Sequence, residues 1–232
     1  MCGLNRENAL MTVPVITIDG PSASGKGTVA SLVAEHLGFH YLDSGSLYRL
    51  VALHAERAGL SFDDEDALAS AARQLPVAFE GGRVLLAGLD ASDAIRSEAI
   101  GIGASRVGAC PAVRAALLER QRDFRRAPGL VTDGRDMGSV VFPDATLKVF
   151  LTASAEERAN RRYKQLIGKG ESANLLQIKQ DIIARDERDA QRAVAPLRQE
   201  PDALLLDTTS IGIDHTVECI LGWFSGRQVS GS

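Results

Sequence analysis

Val15-Ile16-Thr17-Ile18-Asp19-Gly20-Pro21-Ser22-Ala23-Ser24-Gly25-Lys26-Gly27-Thr28 decides the fold. The β-branched run at its start predicts a buried strand. Beyond it, Val29, Leu32, Val33 and Leu37 fall at i, i+3, i+4 and i+8, which predicts a helix that Gly38 stops. The segment between has the form G-x-x-x-x-G-K in the strand–turn–helix setting that a phosphate loop requires. Backbone N–H groups of such a loop, with the helix N-terminus, surround phosphate oxygens with partial positive charge, and Lys26 adds a full charge. Gly20, Pro21, Ser22, Ala23, Ser24, Gly25, Lys26, Gly27 and Thr28 are therefore expected to hold a nucleotide's phosphates. The usual pattern follows Lys with Ser or Thr as a Mg²⁺ ligand, whereas here Gly27 follows and Thr28 comes one step later. A direct ligand to Mg²⁺ from this loop is not expected.

Outward from the loop, His40-Tyr41-Leu42 reads as a second strand and the stretch after Ser44, with Leu47, Leu50 and Val51 on one face, as a second helix ending near Gly59. This βαβα rhythm predicts a parallel sheet with right-handed crossovers. The rhythm breaks over 60–127, where Val77–Phe79, Gly81-Gly82 and Val84–Leu86 read as a hairpin and 93–107 and 112–126 as helical. It returns with strands at Leu130–Thr132, Leu147–Leu151 and Ala203–Leu206, giving five core strands. Ser154-Ala155-Glu156-Glu157 is a capping box that opens an Arg-rich helix, and Gly168 and Gly170 flank a mobile tip. A long helix with Leu175, Ile178 and Ile182 inward precedes Pro196, and a final helix covers 213–224. The expected organisation is a core of 13–59 and 128–225, an insert at 60–127, a lid at 154–172, and tails at 1–12 and 226–232.

The 232 residues carry a formal charge of −4, which argues against a long nucleic acid as partner. Of 26 basic residues only five are Lys, and an acidic chain so rich in Arg suits a small anionic ligand that a planar guanidinium grips bidentately. Cys2, Cys110 and Cys219 lie far apart, without metal spacing, as in a reducing compartment. No apolar run reaches the ~18 residues of a membrane helix, and Met1–Thr12 does not read as a signal peptide. A cytoplasmic location, with no membrane partner, is expected.

Four further segments carry a resemblance. They are Leu42-Asp43-Ser44-Gly45 with Tyr48-Arg49, Asp133-Gly134-Arg135-Asp136-Met137-Gly138 with Val140–Asp144, Arg185-Asp186-Glu187-Arg188-Asp189, and Arg192-Ala193-Val194-Ala195-Pro196-Leu197. With the phosphate loop, and in this order, they resemble the bacterial-type cytidylate kinases, nucleoside monophosphate kinases of the P-loop class, from about residue 13 to residue 224. The resemblance implies a three-layer α/β P-loop fold with a five-stranded parallel sheet, a monophosphate-binding insert lobe and a mobile lid. It implies a (d)CMP kinase that moves the γ-phosphoryl group of ATP onto CMP or dCMP with Mg²⁺, as a monomer. Ser44, Arg114 and Asp136 would face the cytosine, Arg49, Arg135 and Arg192 the CMP phosphate, and Arg185 and Asp189 the sugar. Lys26, Arg135, Arg158, Arg162 and Arg188 would act on the transferring group, and Asp133 would orient Mg²⁺ through water.

The chemistry suits these residues. A phosphate acceptor is already anionic at neutral pH and needs no general base, so the task is to bring two polyanions together. A sugar or shikimate-like acceptor would instead want a carboxylate base, a role open to Asp43 or Asp136. A nucleotide-dependent switch would want Asn-Lys-x-Asp and Asp-x-x-Gly strings, and neither occurs in the chain.

Overall fold

The computed structural model describes residues 13–80 and 83–229. A central sheet of β1 (Val15–Asp19), β2 (His40–Asp43), β6 (Leu130–Gly134), β7 (Leu147–Thr152) and β8 (Leu204–Asp207) has the order β2-β6-β1-β7-β8. Every neighbouring pair in it is parallel. A parallel sheet must be covered on both faces, so its central strand alternates between two cores. Ile16 and Ile18 pack with Val29 and Val33 of α1 (Lys26–Leu37) and with Ile220 and Phe224 of α8 (Ile213–Val229). Val15 faces the other core, with Leu47, Leu50 and Val51 of α2 (Ser44–Arg57) and Leu117 of α5 (Pro111–Arg122). The result is three layers, helix on sheet on helix.

The second core also takes Leu68 of α3 (Glu65–Arg73) and Ile100 of α4 (Glu98–Val107). Beside these helices β3 (Val77–Glu80) and β4 (Arg83–Leu86) form the expected antiparallel hairpin, to which β5 (Leu89–Asp90) adds a short third strand. Its turn at Gly81-Gly82 lies outside the described residues, as does the tail expected at 1–12. Helix α3 was not expected. Its sequence offers one large apolar residue, Leu68, among alanines, so periodicity is faint, and its clearest mark is Asp64, whose side chain accepts from the N–H of Ala67 at 2.9 Å.

After β7, α6 (Ala155–Gly168) opens at the expected cap, with Ser154 Oγ accepting from the N–H of Glu157, but the reciprocal half of the box is not formed, since the Ser154 N–H donates to Thr209 and Glu157 accepts from Arg161. Then α7 (Leu175–Ala190) buries Ile182, but Leu175 is exposed, contrary to its expected inward face. The last helix continues to Val229, past the expected end at 224 and into the stretch read as a tail, and residues 230–232 lie outside the described residues.

The carboxyl ends of the parallel strands coincide, with Asp19 level with Gly134, Asp43 with Asp133 and Thr152 with Asp207. Ligands in open α/β sheets gather at this edge. Replacing Ile16, fully enclosed at the sheet's centre, by Ala is expected to cost about 2–5 kcal/mol, read as a lowered urea midpoint with an unchanged slope.

Candidate active site

The phosphate loop crosses the carboxyl edge between β1 and α1 in a tightly enclosed path. A Cβ on Gly20 would lie 2.0 Å from the carbonyl oxygen of Leu151 in the neighbouring strand, so only glycine fits. Ala23 and Gly25 both adopt left-handed backbone angles, φ 57° and φ 90°, on either side of Ser24. Such alternation turns successive N–H groups to one side and forms an anion-binding concavity. Lys26 is buried beneath it, with Nζ donating to the carbonyl of Pro21 at 3.2 Å. Burial first, then the charge of Arg135, pushes the Lys26 ammonium far below its usual range. Ser24 is buried and its hydroxyl has no partner.

Asp19, at the end of β1, is buried and accepts the N–H groups of Met137 at 2.9 Å and Gly138 at 2.8 Å. It thereby ties the turn that carries Arg135 and Asp136 to the root of the phosphate loop. Desolvation outweighs both hydrogen bonds and raises its carboxyl to about 6. Asp133 stands level with Asp43 on β2 and accepts from the Tyr41 hydroxyl at 2.8 Å. A Cβ on Gly27 would lie 3.8 Å from one of its oxygens, which sets Asp133 against the start of α1. Burial, then the neighbouring Asp43, raises its carboxyl well above the ordinary value.

Arginines converge beside this loop from four elements. Arg49 of α2 donates to the carbonyl of Ile95 at 2.9 Å. Arg135 donates through Nε to Asp189 at 2.7 Å, and Arg192 pairs with the other oxygen of the same carboxylate. Asp189 is fully enclosed on α7, and despite that burial the guanidinium groups of Arg135 and Arg192 hold its carboxyl below the usual range. Arg185, one helical turn earlier, is mostly enclosed and its Nε finds no acceptor. Burial, then repulsion from Arg135, lowers it to about 10, an unusual state for a guanidinium. An anion among these groups would relieve both causes.

Deeper in the cleft, Arg114 and Asp136 form a buried ion pair. Arg114 also donates to the carbonyl of Gly108 at 3.1 Å and lies over the Tyr48 ring at 5.6 Å from its centre. Ser44 is buried and donates to the carbonyl of Asp133 at 2.7 Å, which leaves its lone pairs available. Ser105, one turn before Gly108 on α4, is buried with an unpartnered hydroxyl. Nothing in its setting, Gly-Ala-Ser-Arg within an amphipathic helix, marks it in the sequence.

The three arginines of α6 diverge. Arg158 is buried, donates to the carbonyl of Ser22 at 3.1 Å and pairs with Asp186 of α7 at 2.6 Å. Arg161 donates to the carbonyl of Ser24 at 3.1 Å and to Thr208 after β8. Arg162 spans the cleft to Glu98 of α4 at 2.6 Å. Arg188, expected to act on the transferring group, lies on the exposed side of α7 and makes no hydrogen bond or ion pair among the described residues. It shares a helical face with Arg185 by spacing alone, and spacing does not say which of the two points inward. Among the described residues no cluster of His, Cys, Asp or Glu is arranged to hold a metal unaided, and no helix is long and apolar enough to cross a membrane.

The sequence model of the family described as cytidylate kinase matches residues 16–225. The chain is 76% identical over 221 residues to the cytidylate kinase of Chromobacterium violaceum, covering 95% of this chain and 100% of that one. The chain belongs to the cytidylate kinase family. Its likeness to the cytidylate kinase of Burkholderia pseudomallei is 59% over 211 residues, covering 91% and 92% of the two chains. Among solved structures, an uncharacterized protein from Eubacterium ventriosum has the same fold at 10% identity, with TM-score 0.51 and 91% and 98% of the chains covered.

Two outcomes follow for this member of the cytidylate kinase family. Gly20→Ala is expected to lose ATP binding and to lower the thermal midpoint, because its methyl group meets backbone that cannot yield; calorimetry and ATP titration read both. Burial lowers the Lys26 ammonium to about 7, and a bound triphosphate favours its charged form. Binding of ATP is therefore expected to take up protons, more at pH 8 than at pH 6, and to weaken as pH rises; titration calorimetry in buffers of differing ionisation enthalpy measures the uptake.

Proposed function

We infer that this chain transfers the γ-phosphoryl group of ATP to CMP and dCMP, giving CDP and dCDP. The observation that carries the substrate side is the buried Arg114–Asp136 pair, one residue along the chain from Arg135. The Asp136 carboxylate accepts from the exocyclic amino group of cytosine, Arg114 donates to the ring's acceptors, and Ser44 and Ser105 complete the base contacts. Uracil places a carbonyl where cytosine has its amino group, so two acceptors would face each other in a dry pocket. Arg49, Arg135 and Arg192 hold the acceptor phosphate, and Arg185 and Asp189 meet the sugar. The residues of 60–127 supply the wall over the monophosphate, and 13–59 with 128–225 the core.

The acceptor oxygen is anionic already, so no residue is assigned as base. Catalysis rests on position and on neutralising charge between two polyanions, where one well-placed guanidinium contributes about 10³–10⁵ in rate. Lys26 meets the β- and γ-phosphates. Arg135 lies between donor and acceptor sides, and Arg162 approaches from the lid at 154–172. Arg158 acts from under the loop.

Mg²⁺ accompanies the triphosphate and neutralises its developing charge. The buried Asp133 carboxylate fits that ion through a water. The enzyme is read as a monomer acting in the cytoplasm, where ATP and CMP are met.

A coupled ADP-release assay with CMP, dCMP, UMP, AMP, GMP and shikimate tests the reading. Turnover is expected on CMP and dCMP. Asp136→Asn, whose amide offers a donor to the uracil carbonyl, is expected to narrow the preference for CMP over UMP about 10- to 100-fold, the worth of a charge-assisted hydrogen bond. Turnover confined to shikimate, or an unchanged preference in the variant, would overturn it.

A further inference from the structure

The phosphate loop has left-handed backbone at Ala23 and Gly25. Ala23 at φ 57° is a conformation that a residue with a Cβ adopts at a cost, and such backbone persists where its surroundings over-determine it. The surroundings here are two guanidinium groups. Arg158 takes the carbonyl of Ser22 at 3.1 Å and Arg161 the carbonyl of Ser24 at 3.1 Å. In a trans peptide the N–H points opposite to the C=O. Drawing these two carbonyls toward α6 turns the N–H groups of Ala23 and Gly25 the other way, into the loop. Neither N–H has an acceptor among the described residues.

Both guanidinium groups are themselves fixed. Arg161 donates through Nε to Glu157 at 3.0 Å and through Nη1 to the Thr208 hydroxyl at 3.0 Å, while Nη2 takes the Thr208 carbonyl. Arg158 is anchored by the carbonyl of Ala153 at 2.8 Å and by Asp186 at 2.6 Å, and Asp186 also accepts from the Ser22 hydroxyl at 3.4 Å.

We propose that Arg161, with Asp186 acting through Arg158, is a positioning residue that builds the donor-phosphate nest before ATP arrives, by fixing the peptide planes 22–23 and 24–25. The proposal rests on the kinase reading above, since it takes the loop's ligand to be the ATP phosphates. It differs from a direct contact between Arg161 and phosphate, because the guanidinium acts through the Ser24 carbonyl.

The test compares wild type, Arg161→Met, Arg161→Lys and Asp186→Asn. Amide hydrogen exchange over residues 20–28 is measured without ligand, and KM is measured for ATP and for CMP. Arg161→Met is expected to speed exchange in this segment and to raise KM for ATP about tenfold, the worth of one hydrogen bond to a charged group, with KM for CMP within about twofold. Arg161→Lys, keeping one donor for Ser24, is expected to recover part of both effects, and Asp186→Asn to reproduce them more weakly. A raised KM for ATP with exchange unchanged would overturn the proposal in favour of a direct ligand contact. An unchanged KM for ATP, or equal rises for ATP and CMP, would also overturn it. Absence of turnover in the wild type would refute the kinase reading instead, and the exchange measurement would still report whether Arg161 orders the loop.

Discussion

Guanidinium groups crowded into one cleft repel each other, and the enclosed carboxylate of Asp189 is what allows them to gather. Two unit charges 4 Å apart cost roughly 4 kcal/mol at an effective dielectric of about 20, so Arg135, Arg185 and Arg192 would disperse without a counterion. Asp189 accepts from Arg135 on one oxygen and from Arg192 on the other. Its carboxyl is held below the value it has unfolded, so its contribution to stability is present above the ordinary carboxylate range and is lost as pH falls through the depressed value. The compensation is incomplete. Among the described residues the Nε of Arg185 has no partner, and burial lowers its pKa.

The same logic organises the neighbouring parts. Asp136 stabilises Arg114 deep in the cleft, and Asp186 stabilises Arg158 beneath the phosphate loop. Each arginine is paired closely enough to be ordered while retaining donors for a ligand. Order of this kind is paid for in folding rather than at the moment of reaction, which is the condition for electrostatic stabilisation to accelerate phosphoryl transfer. Asp19 links the two halves, since its oxygens accept from the N–H groups of Met137 and Gly138 and thus set the turn that carries Arg135 and Asp136 from the strand that leads into the phosphate loop.

Much of this was legible in the sequence. The strand–loop–helix at 15–37, the five core strands and the helix cap at Ser154 rest on short-range signals, namely β-branched runs, glycine spacing and side-chain caps, and the structure contains all of them. Helix α3 was not legible because its alanine-rich face carries so little periodic contrast. Leu175 was misread because the first turn of a helix can project beyond the body it later packs against. In the site, arginines could be counted from the sequence but not aimed. Arg185 points inward and Arg188 outward from one helix, and Arg161 takes a backbone carbonyl rather than standing free. Ser105 was invisible because a buried hydroxyl lacking a partner is a property of packing, which no local pattern encodes.

The cleft gathers ordered cationic groups suited to an anionic ligand. The direct measurement is the thermal unfolding midpoint with saturating CMP and, separately, with cytidine at the same concentration. A ligand that binds only the folded state raises stability by RT ln(1 + [L]/Kd). The account predicts a clear upward shift with CMP that shrinks as salt is added, and almost none with cytidine. Equal shifts with the two, or a CMP shift indifferent to salt, would contradict it.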